Sequence, residues 1–221
     1  QTLEAPMRRL LGYDARRREA RLASLMDAVR LRAEFLDRYP HEFSGGQAQR
    51  IGVARALAAE AKIVVLDEPV SALDVSVQAQ VLNLLAGLRA EFGLTYLFIS
   101  HDLSVVESVS DRVAVMYFGR IVEEGPARAL FAAPRHPYTG LLMRSAPTPG
   151  RKAVEAEEKA AELPDPLNPP PGCAFASRCP RVIDRCRTDR PTLDAAGPGD
   201  TRAACWRPLS AGGVPPDVPP G

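Results

Sequence analysis

Two short apolar runs, "KIVVLDEP" at 62–69 and "LTYLFIS" at 94–100, restrict the fold more than any other feature of the chain. Both are continuous rather than alternating, the pattern of strands buried on both faces of a parallel sheet. Between them, residues 75–92 repeat Val77, Val81, Leu84, Leu85 and Leu88 at helical spacing, and Gly93 follows as a C-cap. Parallel strands need a crossover, so strand, helix, strand in this order predicts an α/β fold with a mainly parallel sheet. A helix is expected over 102–109, and 112–125 reads as two strands joined around Gly119. Upstream, residues 15–38 read as one helix with Leu22, Leu25, Met26 and Val29 as its apolar stripe, ended by Pro40. Ser44 is then a candidate N-cap for a helix over 48–59.

The chemistry-bearing residues cluster at the ends of these elements. Asp67 and Glu68 follow Val64-Val65-Leu66 directly. Ligands of open parallel sheets bind at the carboxyl ends of strands, and consecutive strand side chains point apart. One acid can therefore hold magnesium while the other serves as general base; the competing reading is that both cap the turn at Pro69. His101 ends the second run and falls near the same edge if the strands are neighbours, where it could order water or touch a phosphate; a structural histidine is the alternative. Asp74 in "SALD" suits an ordinary N-cap. The turn Ser44-Gly45-Gly46-Gln47 feeds a helix N-terminus, where small residues, orphan N–H groups and the helix dipole favour an anion. That turn has no lysine of its own.

Length and charge narrow the classes. A chain of 221 residues can build one or two cores, and a net charge of +1 implies no nucleic-acid partner. No apolar run approaches the roughly 18 residues of a membrane span, and no charged-then-apolar secretory pattern opens the sequence, which reads as cytosolic or docked on something else. Fifteen of the 21 prolines and all four cysteines fall after residue 145, which places a boundary at about 146–151. The last stretch, 210–221, has too little apolar content to pack and is expected to be disordered.

"FSGGQAQRIGVARAL", "IVVLDEP", "SALD" and "FISHD", in this order and spacing, resemble the nucleotide-binding subunits of ABC transporters over residues 1–145. The resemblance implies that Ser44, Gly45, Gly46 and Gln47 form the signature motif. Asp67 would be the Walker B acid associated with magnesium, Glu68 the catalytic base, Asp74 the D-loop acid and His101 the switch histidine. It also explains the missing lysine, because a signature motif closes over ATP held by a partner subunit. The sequence departs from the family in having no Gly-Lys-Ser/Thr: Lys62, Lys152 and Lys159 follow Ala61, Arg151 and Glu158. Since every later motif is intact, the expectation is an N-terminally truncated member: a helical region plus half a parallel sheet, unable to hydrolyse ATP alone and prone to aggregate along its uncovered strands.

The tail begins its own argument at "RHPYTGLLMRS", where Pro137 suits the first turn of a helix. Cys173, Cys179, Cys186 and Cys205 are separated by 5, 6 and 18 residues, and disulfides, zinc, an iron–sulfur cluster and unpaired thiols all compete as readings. The His-Pro-Tyr stretch, the proline-rich segment and these cysteines resemble the C-terminal extension of dipeptide and oligopeptide importer ATPases, nearest to the second of the two such importers carry. That resemblance implies ATP and Mg²⁺ at the nucleotide motifs and a possible [4Fe-4S] cluster on the cysteines, with zinc as alternative. It implies a second ATPase subunit, two transmembrane permease subunits and an extracytoplasmic peptide-binding protein as partners, at the cytoplasmic face of the inner membrane. The rival functions are a soluble ABC-type ATPase acting on DNA or ribosomes, and a non-catalytic half-subunit lending its signature motif to a partner.

Overall fold

The computed structural model describes residues 2–145, 165, 168–197 and 199–210. The boundary expected at 146–151, Lys152, Lys159 and nearly all of the tail expected to be disordered lie outside them. The chain divides into two compact units, 1–102 and 103–221.

In the first unit, helices α1 (Glu4–Arg9), α2 (Ala15–Ala28) and α3 (Gly45–Leu57) precede strand β1 (Ile63–Asp67), helix α4 (Val75–Phe92) and strand β2 (Thr95–Ile99). Asp14 caps α2 by accepting from the Arg17 N–H at 2.8 Å. The single helix expected over 15–38 is not formed. It stops at Ala28, Arg30 takes a left-handed φ of 56°, and residues 33–37 form a 3₁₀ turn. Phe35 in that turn is buried, with the Arg38 guanidinium 4.1 Å from its ring centroid, off the stripe that α2 presents. Helix α4 ends as expected, with Gly93 at φ 61°.

β1 and β2 pair in parallel, Ile63 opposite Thr95 through Asp67 opposite Ile99. The Tyr96 hydroxyl donates to the Leu85 carbonyl at 3.0 Å and pins the sheet to α4. Burial on both faces does not hold within this chain. Val64 and Leu66 are buried, while Ile63, Val65, Leu97 and Ile99 are 67, 60, 56 and 45% exposed. Period-two burial of continuous apolar strands leaves one face of the pair without cover among the described residues.

The second unit contains α5 (Leu103–Val109), strands β3 (Arg112–Tyr117) and β4 (Arg120–Pro126), and helices α6 (Ala127–Ala132) and α7 (Pro137–Ser145). After them come α8 (Asp184–Thr188) and the short strands β5 (Asp194–Gly197) and β6 (Thr201–Ala203). Phe118 and Gly119, at φ 51° and 73°, make the two-residue primed turn between β3 and β4. The sheet order is β3-β4-β6-β5, antiparallel throughout. The mainly parallel expectation is thus corrected to a mixed fold: a parallel pair in one unit and a larger antiparallel sheet in the other. Tyr117 packs against Tyr138 and Phe175, centroids 4.5 and 5.4 Å away, so residues after the proline-rich segment complete the core around β3 and β4. Among the described residues no helix is long and apolar enough to cross a membrane.

Candidate functional site

Pairing of β1 with β2 brings Glu68 and His101 together. The Glu68 N–H donates to the Ile99 carbonyl at 2.9 Å, continuing the ladder one residue past the strand. There Glu68 takes a left-handed φ of 45°, a conformation that opposes an L side chain, and its carboxylate meets His101 Nδ1 at 3.0 Å. This contact holds the Glu68 carboxyl below its ordinary range, the hydrogen bond from His101 being the main cause. Both side chains remain open to solvent, and Ser71 braces the bend by donating Oγ–H to the Glu68 carbonyl at 3.2 Å. Asp67 is exposed opposite Ile99, one residue away on the chain. The edge therefore presents two carboxylates and an imidazole, and the Glu68–His101 pair is able to accept a proton from water.

The Ser44 turn is a reciprocal cap. The Gln47 N–H donates to Ser44 Oγ at 3.4 Å, and the Ser44 N–H donates to Gln47 Oε1 at 3.1 Å. The first-turn N–H groups of Gly45 and Gly46 have no protein acceptor among the described residues. A Cβ on Gly46 would lie 2.5 Å from Val77 Cγ1, and one on Gly45 would lie 3.3 Å from Leu73 Cδ2. Packing against the start of α4 thus demands glycine here, a reason the sequence does not reveal. The same contact brings the turn beside the loop carrying Asp74. Asp74 occupies the N-cap position of α4 without a side-chain capping bond, so its expected role as an ordinary cap is not realised.

In the second unit the four cysteines, spread over 33 positions of chain, line one small cavity of about 10 Å³, with His136, Phe175, Arg181 and Trp206 among its other walls. All four are free thiols. The Cys173 N–H donates to the Cys186 carbonyl at 2.8 Å, and a side chain on Gly172 would collide with that same carbonyl. The Arg207 N–H reaches Cys205 Sγ at 3.4 Å. Burial pushes the thiols of Cys173 and Cys205 up and that of Cys179 to about 11. Among the described residues no three His, Cys, Asp or Glu side chains are arranged to hold a single metal ion. The lining is chemically uniform in part, with four sulfurs around one space, and the buried Nε of Arg181 has no hydrogen-bond partner among the described residues.

Sequence reasoning missed Glu123. It is fully buried, and its two carboxylate oxygens accept the Arg135 and His136 N–H groups at 2.7 and 2.8 Å, tying the residues before α7 to β4. Burial pushes its carboxyl up, against the pull of those donors. An acid pair inside an otherwise apolar strand, "RIVEEG", is the only hint the sequence offers.

With this geometry in place, comparison with known proteins defines the class. Residues 3–71 match the ABC transporter family and residues 122–186 match the C-terminal region of oligopeptide/dipeptide transporters. The chain belongs to the ABC transporter ATP-binding family, in its oligopeptide/dipeptide branch. It is 51% identical to the dipeptide transport ATP-binding protein DppF of Haemophilus influenzae over 194 residues, 87% of this chain and 59% of that protein. It is 52% identical to the putative oligopeptide transport ATP-binding protein YkfD of Bacillus subtilis over 178 residues, 79% of this chain and 54% of that protein. The chain thus spans little more than half the length of these curated relatives. Among solved structures it resembles cbiO1 of Clostridium perfringens, part of the cbiONQ ABC transporter complex, at 28% identity and a TM-score of 0.50, over 54% of this chain and 47% of that one. A putative metal-chelate type ABC transporter in an inward-facing conformation matches at 29% identity and a TM-score of 0.51, over 55% of this chain and 47% of that one.

Proposed function

We propose that this chain carries the signature-to-switch region of an ATP-hydrolysing subunit that energises peptide import, peripheral on the cytoplasmic face of the inner membrane. It works with a second ATPase, two permease subunits and an extracytoplasmic peptide-binding protein. The observation that carries the reading is the Glu68–His101 contact at the end of the β1–β2 pair, in a chain half identical to a dipeptide transport ATP-binding protein. In this reading Glu68 accepts a proton from the attacking water, and His101 orders that water and keeps the carboxylate ionised. Ser44, Gly45, Gly46 and Gln47 present N–H groups to the γ-phosphate of ATP on the partner subunit, and Asp74 lies at the contact between the two. Asp67 supplies the oxygen ligand for Mg²⁺, which would neutralise phosphate charge when bound.

The same proposal assigns residues 1–145 to the nucleotide-binding domain and 146–209 to the importer's C-terminal extension. Cys173, Cys179, Cys186 and Cys205 would hold a [4Fe-4S] cluster, which when bound supplies a cross-link to a lobe rich in proline and poor in core. Zinc in place of iron and sulfide in the anaerobically purified protein would reverse that assignment. The test of the main reading is ATP turnover by the full-length native subunit with its partners. Glu68→Gln is expected to lower turnover by roughly 10²-fold or more while ATP binding persists, as loss of a general base does. Turnover that survives the substitution removes Glu68 from the mechanism.

A further inference from the structure

A groove of about 420 Å³ runs between α2 and α4, a volume typical of small-molecule sites, and none of the nucleotide-motif residues lines it. Two of the residues that do are the wrong type for their own backbone. Arg30 follows the last turn of α2 at φ 56°. Its N–H bonds to the Asp27 carbonyl and the Leu31 N–H bonds to the Met26 carbonyl, both at 2.9 Å. This helix closure favours glycine at the left-handed position, and an arginine there is strained. Gly87 is the reverse case. It lies inside α4, where glycine weakens a helix relative to alanine, yet a Cβ on it would meet nothing within 4 Å. Packing therefore does not demand glycine at 87. Departures from local preference persist where a site needs them, and these two fall on one groove.

The charges of the groove are open as well. The side chains of Asp27, Arg30 and Glu91 line it and make no hydrogen bond or ion pair among the described residues. Arg21, also in the wall, is engaged: its guanidinium donates to Ser24 Oγ at 3.4 Å and lies 3.7 Å from the Glu60 carboxylate. Beneath these groups the floor is apolar, with Leu84 and Leu88 buried. One open guanidinium, two open carboxylates and an apolar floor complement a ligand that carries a carboxylate, an ammonium and an apolar body. A phosphate or nucleotide is a poor fit, because both carboxylates would repel it. We propose that the α2–α4 groove binds a zwitterion of the amino-acid or short-peptide class. Arg30 holds the carboxylate, Asp27 and Glu91 hold the ammonium, and Gly87 leaves room for an apolar side chain. Binding there needs neither nucleotide nor partner subunit, so its failure and a failure of the transport reading are separable.

The experiment titrates the full-length native subunit, by calorimetry, with L-leucine, with Leu-Leu, and with Nα-acetyl-Leu-Leu-amide, which lacks both charged ends. Saturable binding is expected for the first two ligands alone, and the tighter of them identifies a free amino acid or a peptide as the source. Arg30→Gly suits the left-handed backbone, so it should raise the unfolding midpoint and yet weaken binding about tenfold or more. Gly87→Leu should abolish binding by filling the groove. If that variant does not fold, Gly87→Ala gains helix propensity and should raise the midpoint while weakening binding severalfold. A merely structural groove would change the midpoint and leave affinity untouched. The site is overturned by a wild type that binds neither leucine nor Leu-Leu, by binding that survives the blocking of both charged ends, or by a variant at either position that matches wild-type affinity.

Discussion

Glu68 combines a left-handed backbone at φ 45° with a carboxylate bonded to His101. Its N–H bonds to the Ile99 carbonyl at the same bend, which sets the residue beside the end of β2. Removing the imidazole should release the carboxyl. His101→Ala is expected to raise the Glu68 value back toward the ordinary 4.5, read by NMR titration of the side-chain carbonyl. The folded value is depressed, so whatever stability the contact contributes is present above 4.5 and is lost as pH falls through the folded value. Both groups are exposed, so added salt should shrink the shift, whereas a shift independent of salt would argue against the contact.

Among the elements, α3 depends on two kinds of contact at its first turn. Ser44→Ala removes the reciprocal cap and should cost about 1 kcal/mol in denaturant unfolding. Gly46→Ala acts through packing, because its Cβ would meet Val77, and should cost about 1–3 kcal/mol. The double variant Gly46→Ala/Val77→Ala is expected to recover part of that loss, whereas purely additive costs would show that the helices do not meet there. In the other unit, Glu123→Ala leaves two buried N–H groups before α7 without acceptors and should cost about 2–5 kcal/mol, measured on the folding of that unit. Burial raises the Glu123 carboxyl, so its own contribution is fullest at acid pH and is lost as pH rises through the folded value. Glu123→Gln should abolish that component of the pH dependence.

On the scale of the molecule, the uncovered face of the β1–β2 pair is the feature with a direct solution consequence. Ile63, Val65, Leu97 and Ile99 form an exposed apolar stripe on a two-stranded sheet with both edges free among the described residues. The 221-residue chain alone is expected to associate at micromolar concentration, and Val65→Lys with Leu97→Glu to reduce the scattering markedly. Light scattering unchanged by the pair would show that association, if any, uses another surface.

Local pattern determined much of this protein. The spacing of apolar residues specifies α4, β1 and β2, Gly93 and Gly119 mark a cap and a turn, and Ser44 with Gln47 specifies the start of α3. These are short-range effects in which each residue's own φ, hydrogen-bonding group or helical phase decides the outcome. The Ser44–Gln47, Asp67–Glu68, Asp74 and His101 motifs stood out through their order and spacing, and their roles are those that the family resemblance implies. Other features depend on partners distant in the chain. The helix that the local pattern supported over 15–38 stopped at Ala28, β6 pairs with β4 and β5 with β6 from stretches of only three and four residues, and Glu123 found its two donors beyond α6. Spacings of 5, 6 and 18 residues left the cysteines open to several readings. The chain path from Gly172 to Arg207 gathered them around one cavity and set Arg181 beside them, because side chains far apart in sequence meet only where backbone packing brings their elements together.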